Sequence, residues 1–232
     1  AVAHGVMISD GGNWEDWFPF FDMATIVDIC NLALSYLGEG STVTSIDPPD
    51  GSPHAGNCNR WYPHALRACF EDFDWSWATN RIIPARLTSI DKSVYQWRYG
   101  FTLPSEMVRL INVKSPNGAP EFPHSFCDYE VEANCTNGSK ILLCNAPDPI
   151  VTYVKYVDNP SLYPSYFVEC VVLRLAAMLV GPIRRTDSAT QTAAAILNQY
   201  AQALSAAKTL DARASLQERP RFIASQLRAR MV

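Results

Sequence analysis

The sequence predicts an α+β fold: a four-helix bundle with an inserted small antiparallel β domain and extended terminal arms. Three observations predict it. Apolar residues recur at helical spacing near both ends, over residues 26–37 and 54–73 and again over 167–179 and 193–204. Between them, residues 79–159 break into short β-prone pieces separated by Pro, Gly and Asn. Where the two regimes meet stands Trp75-Ser76-Trp77. Two large aromatics two residues apart cannot share a helix face, whereas in extended chain they point the same way. The second helix should therefore end near Asp74, with Trp75 and Trp77 plugging the junction between helical bundle and β layer.

Taken in order, residues 1–22 are aromatic and acidic, with Gly11-Gly12 followed by Trp14, Trp17, Phe18, Phe20 and Phe21. They show no helical period and read as an N-terminal arm held by another chain or by a neighbouring copy, with Met23 as a natural start. Helix one carries Ile26, Ile29, Cys30, Ala33, Leu34 and Leu37 on one stripe. Thr25 can cap its start with Asp28 in the first turn, and Gly38 ends it. Residues 38–53 are turn-rich, with Asp47-Pro48-Pro49-Asp50-Gly51 at their centre. Helix two covers roughly 54–73, with Cys58, Tyr62, Ala65, Leu66, Cys69 and Phe73 on its stripe, and Pro63 should kink it or mark its true first turn.

Strands are expected over 80–87, 96–103, 106–114, 126–133, 139–144 and 150–157. Helices return after Pro160 and Pro164. Phe167, Val168, Val171, Val172, Leu175, Met178 and Leu179 form a broad apolar face that should stop at Gly181-Pro182. Ala193, Ile196, Leu197, Tyr200 and Leu204 make the fourth helix, started by Asp187 or Ser188. Helices one and two should pair with three and four. The resulting division is an arm at 1–22, a discontinuous bundle at 23–78 and 160–210, a β insertion at 79–159 and a C-terminal arm at 211–232.

Composition limits the classes open to the chain. With 232 residues and 48% hydrophobic content it can bury a real core and is too apolar to be disordered. No run of about 18 apolar residues is present, so no membrane span is expected. Residues 1–22 lack the basic start and apolar centre of a signal peptide. Seven scattered cysteines, four of them in helix-like patterns, read as reduced and buried. Without a secretory signal, the sequons at Asn134 and Asn137 read as turn residues.

Candidate reactive groups are few. His54 and Cys58 have a spacing that can bind metal, but two ligands do not close a zinc site, and Cys127, Cys135 and Cys144 lie too far apart to complete one. His64 and Cys69 fall on different helix faces, which removes a Cys–His catalytic pair. Glu71, Asp72 and Asp74 read as a solvated helix end. No phosphate loop, nucleophile elbow or His-Glu-x-x-His occurs. The expectation is a protein without catalytic site, metal or cofactor.

Four stretches carry a likeness to a known family. They are Leu37-Gly38-Glu39-Gly40 leading to Ser45-Ile46-Asp47-Pro48; Tyr62-Pro63, Ala65 and Arg67 with Trp75, Trp77-Ala78-Thr79 and Arg81; Trp97-Arg98-Tyr99 leading to Leu103-Pro104 and Arg109; and Phe167-Val168-Glu169 through Arg174-Leu175-Ala176-Ala177, closed by Leu210-Asp211-Ala212-Arg213. In order and spacing the chain resembles the head-to-tail adaptor proteins of short-tailed bacteriophages, the tail tubular protein A family, over about residues 24–215. Trp77 stands where the family pattern has Phe, and residues 1–22 have no counterpart. The resemblance implies a structural virion protein assembled as a twelve-subunit ring. Such a ring sits between the portal protein and the tail nozzle protein, with genomic DNA passing through its bore. It also implies that the C-terminal arm reaches the portal.

The charge distribution bears on that arm. The chain is −4 overall, but residues 208–232 hold six basic and two acidic residues, a net of +4, leaving −8 on the remainder. Arg213, Arg219, Arg221, Arg228 and Arg230 are the expected docking cations. Phe222, Ile223 and Leu227 alternate with them, which favours a protein groove over phosphates. A DNA-binding module, or another tail or portal structural subunit, is the alternative reading.

Overall fold

The computed structural model describes residues 24–40, 42–88, 96–115, 125–133, 139–184 and 188–214. Among these residues four α-helices form: α1 (Ile26–Tyr36), α2 (Pro53–Glu71), α3 (Ser165–Ile183) and α4 (Ala189–Ala214). Between α2 and α3 the described residues include eight strands: β1 (Thr79–Ile82), β2 (Ala85–Arg86), β3 (Tyr99–Thr102), β4 (Met107–Ser115), β5 (Ser125–Phe126), β6 (Tyr129–Ala133), β7 (Lys140–Cys144) and β8 (Ile150–Lys155). They make two four-stranded antiparallel sheets, in the orders β1-β8-β4-β5 and β2-β3-β7-β6.

The α+β class fits, but the expected four-helix bundle does not form. Only α3 packs its backbone closely against all three other helices; α1, α2 and α4 are spokes around it. The reason lies in α3 itself. Phe167, Cys170, Val171, Val172, Leu173, Leu175, Ala176, Leu179 and Val180 are all buried, and they point in every direction around the helix axis. A helix apolar all round must be covered on all sides, whereas a bundle helix needs only one stripe. Length and composition alone would let α3 cross a membrane, contrary to the sequence expectation; here its apolar surface is largely enclosed by its neighbours.

Local signals set the helix ends. Thr25 and Asp28 form the reciprocal cap of α1: the Asp28 N–H donates to Thr25 Oγ1 (3.2 Å) and the Thr25 N–H to the Asp28 carboxylate (2.9 Å). These hydrogen bonds, that of the Thr25 side chain first, hold the Asp28 carboxyl below its usual range. Gly38, at φ +74°, turns the chain out of α1. Ser52 caps α2, and Pro53 takes its first position. The helix runs on through Pro63 and ends at Glu71, short of the expected Asp74. α3 passes the expected stop at Gly181-Pro182 and ends at Ile183. Arg184, just beyond, donates through Nε to the Leu37 carbonyl (3.1 Å), tying the end of α3 to the end of α1.

The first sheet sits between two cores. On β8, Val151 and Tyr153 face the β side while Val154 joins the helical core. β4 has an apolar spacing of three: Met107, Leu110 and Val113 face the second sheet, Val108 and Ile111 the helices. A period of three does not suit a regular strand. Register shifts between Met107 and Arg109, and between Leu110 and Asn112, absorb one extra residue each and keep both faces apolar.

Leu175 lies at the fully buried centre of α3. Leu175→Ala is expected to cost about 2–5 kcal/mol in urea unfolding; a loss below about 1 kcal/mol would remove α3 from its central place.

Candidate functional site: the helix–sheet junction beneath the end of α4

The junction begins where α2 ends. Trp75 is fully buried, and its Nε1–H donates to the Cys69 carbonyl (2.8 Å). The indole stacks on Tyr166 (6.1 Å) and meets Phe167 edge-on (5.1 Å). Trp77 is not in extended chain as expected; it lies in a short 3-10 turn, Ser76–Ala78. Its ring still reaches Phe167, at 5.0 Å, together with Phe70 and Tyr163. Both indoles thus converge on one phenylalanine of α3, from the two sides of the turn. Arg109 on β4 ties the sheet to the same place, 3.3 Å from Asp74 and donating to the Glu71 carbonyl (3.2 Å).

Asp211 explains the turn. It is 2% exposed and lies in the last turn of α4. Its carboxylate accepts from the Ser76 N–H (2.9 Å), the Ser76 hydroxyl (2.9 Å) and the Tyr166 hydroxyl (2.9 Å). One buried anion therefore fastens α4 to the turn and to α3. Sequence reasoning places Asp211 in the stretch that closes the adaptor resemblance and at the start of the C-terminal arm, with no anchoring role. A signal was available: an acidic residue in a final helical turn opposes the macrodipole, so it needs a partner elsewhere.

The three carboxylates expected to form a solvated helix end do three separate jobs. Glu71 pairs with Arg67 (3.0 Å), Asp72 accepts from the Tyr200 hydroxyl of α4, and Asp74 faces Arg109. They are not a cluster. His54 stands 3.8 Å from Glu39, while Cys58 is buried beside Cys30. His64 is exposed near Trp61, and Cys69 is buried beneath Tyr200. Burial pushes the Cys170 thiol up to about 12 and the Cys69 thiol further, so both stay protonated near neutrality. Among the described residues, no group of three or more His, Cys, Asp or Glu is placed to hold a metal ion. Cys135 lies outside those residues.

A cavity of about 660 Å³ opens at this junction. Thr79 and Arg81 of β1, Thr152 of β8 and Asn112 of β4 line it, together with Trp77 and Tyr166. The Trp77 Nε1 and Asn112 Oδ1 atoms are buried there without hydrogen-bond partners. Ala214, the last described residue of α4, also lines the cavity. Of the docking residues expected from sequence, Arg213 is exposed on the last turn of α4. Arg219, Arg221, Phe222, Ile223, Leu227, Arg228 and Arg230 lie outside the described residues, as do residues 1–22.

Many residues that carry the adaptor resemblance occupy joints of this kind: the Leu37 carbonyl under Arg184, Trp75 over Phe167, Arg109 on Asp74, and Asp211 on Ser76. Arg174 lies 5.2 Å from the centre of the Tyr200 ring. The chain matches no protein-family model and no curated protein.

Asp211→Ala leaves three donors unsatisfied and is expected to cost about 3 kcal/mol. Asp211→Asn, which turns an NH₂ toward a donor, should cost nearly as much; full stability of the Asn variant in urea unfolding would refute the anchoring role. A second expectation concerns alkali. Burial, above all, raises the phenols of Tyr62, Tyr163, Tyr166 and Tyr200. A raised folded value favours the fold below the ordinary tyrosine value of about 10 and forfeits that contribution above it. Thermal stability should hold from neutrality to about pH 9.5 and then fall, and Tyr200→Phe should shrink the fall.

Proposed function

We propose that this chain is the repeating subunit of a head-to-tail adaptor ring in a short-tailed bacteriophage virion, structural rather than catalytic. The ring, of twelve copies by resemblance to the family, joins the portal protein to the tail nozzle protein and lets genomic DNA pass without holding it. The protein forms in the host cytoplasm and ends in the virion.

One observation carries the reading. The spokes flanking α3 expose large apolar side chains on unlike surfaces: Leu32 and Tyr36, one helical turn apart on α1, are each about half exposed, and Leu197 and Leu210 on α4 nearly so. Two different apolar surfaces on one subunit suit heterologous association, which closes into a ring when the rotation allows. The resemblance supplies the identity of the ring. The basic C-terminal segment, leaving from a joint fixed by Asp211, supplies an arm of the right charge for a carboxylate-bearing partner.

The boundary of that arm matters for the test. Cutting at 210 would remove Asp211 and with it the anchor of α4, so the informative truncation ends at Ala214. The shortened chain should stay folded and still self-associate, yet fail to attach to portal rings in negative-stain images. Normal attachment would sink the arm assignment. Tight, salt-dependent binding of the full chain to duplex DNA near physiological ionic strength would favour the DNA-binding alternative.

A further inference from the structure

On another side of the molecule a cavity of about 600 Å³ is lined by the start of α1, the 44–47 loop, the middle of α2 and residues 156–161. Three features give it a definite chemistry. First, the exposed side chains of Asp47 and Asp158 line it, and among the described residues neither carboxylate has an ion-pair or hydrogen-bond partner. Second, among the described residues no lysine, arginine or histidine lines it. Third, Tyr62 in its wall is only 5% exposed, and its buried hydroxyl stands beside that of Tyr163 without a well-formed hydrogen bond. Tyr156 adds a second aromatic ring. The first turn of α1 brings partial positive charge to the rim, but Asp28 already offsets it there. What remains is a net-negative cavity with spare acceptors and aromatic walls. That suits a guanidinium, which offers planar donors to carboxylates and stacks on rings.

The complementary group is present on the same chain. Arg213 is exposed on the last turn of α4, with no ion pair among the described residues. Its acidic neighbour in sequence, Asp211, is fully engaged by Ser76 and Tyr166 and cannot neutralise it. No residue of α4 lines the cavity. A subunit that carries a socket on one element and an unpaired cation on another is built for head-to-tail contact. We propose that this cavity is the socket for the Arg213 guanidinium of a second copy of the chain, so that Asp47, Asp158 and the neighbour's Arg213 form a contact completed only on assembly. The inference rests on the ring reading and adds to it the residues that set subunit order. It also separates the roles of two arginine groups: Arg213 binds the neighbouring copy, and the arginines beyond it are left for the portal.

The test is charge reversal at two exposed positions, so that folding is not at stake. Assembly of the full chain is followed by mass photometry against concentration. Asp158→Arg alone and Arg213→Glu alone should each raise the concentration for half-assembly about tenfold or more. The double variant carries both reversed halves on every copy and should recover most of the loss. Asp148→Asn, an exposed change away from the socket, should have no effect. Single reversals that assemble like the unaltered chain, or a double variant no better than either single, overturn the socket and leave the ring reading in place. An unaltered chain that stays monomeric overturns the ring reading itself. Repeating the set without residues 1–22 covers a rival occupant: if the Asp158→Arg defect vanishes there, the chain's own N-terminal segment fills the cavity and the proposal fails.

Discussion

Everything in this fold is arranged around a helix that cannot tolerate solvent on any side. α3 has buried residues around its whole circumference, and burying side chains of that size contributes roughly 1.5–3 kcal/mol each. Its neighbours answer the demand in different ways. α1 and α2 offer their apolar stripes. α4, much poorer in large apolar residues, buries Ile196, Tyr200 and Ala207. The first sheet closes the end of the helical core through Val108 and Val154. A single over-apolar element thus decides the number of layers around it, and the absence of a symmetric bundle follows.

A hub of this kind needs polar fasteners, because dispersion and hydrophobic contact do not fix the register of helices against one another. The fasteners found are few, mostly charged, and placed at helix ends. Arg184 on the Leu37 carbonyl joins α3 to α1, Asp72 under Tyr200 joins α2 to α4, and Asp211 joins α4 to the turn after α2 and to α3. Arg184 and Asp211 satisfy backbone groups that a helix end or a turn leaves free, so specificity is gained where a desolvation cost already exists. The same logic explains why the acidic run at the end of α2 is spread over three partners. Three carboxylates within four residues repel one another unless each finds its own donor.

How much of this was legible in the sequence depends on the range of the interactions. α1 was readable to the residue, because Thr25, Asp28 and Gly38 act within one turn. The strands were readable in place, because Pro, Gly and Asn act locally, although the two bulges in β4 were not. The spacing of Met107, Leu110 and Val113 looks helical, and only the pairing with β8 shows how a strand accommodates it. The bundle was misread because periodicity reports that a helix has an apolar face and says less about how wide that face is. The Phe167 to Leu179 stretch already held apolar residues at nearly every position. The backbone of the Trp75–Trp77 pair was not legible, since the turn it forms between α2 and β1 depends on Asp211, 135 positions from Ser76.

The position of Asp211 also constrains what the end of the chain can do. A segment attached to a frayed helix end would explore directions freely and lose the geometry of any surface it approaches. Here the last turn of α4 is clamped to the turn after α2 and to α3, next to the fully buried Trp75 and Phe167. Arg213 is therefore displayed from a rigid base, two residues past the clamp. Rigid display lowers the ordering cost of a contact made by Arg213 itself. The proposed contact between copies therefore depends on the clamp at Asp211 surviving in the free subunit, because that clamp fixes where the guanidinium can be presented.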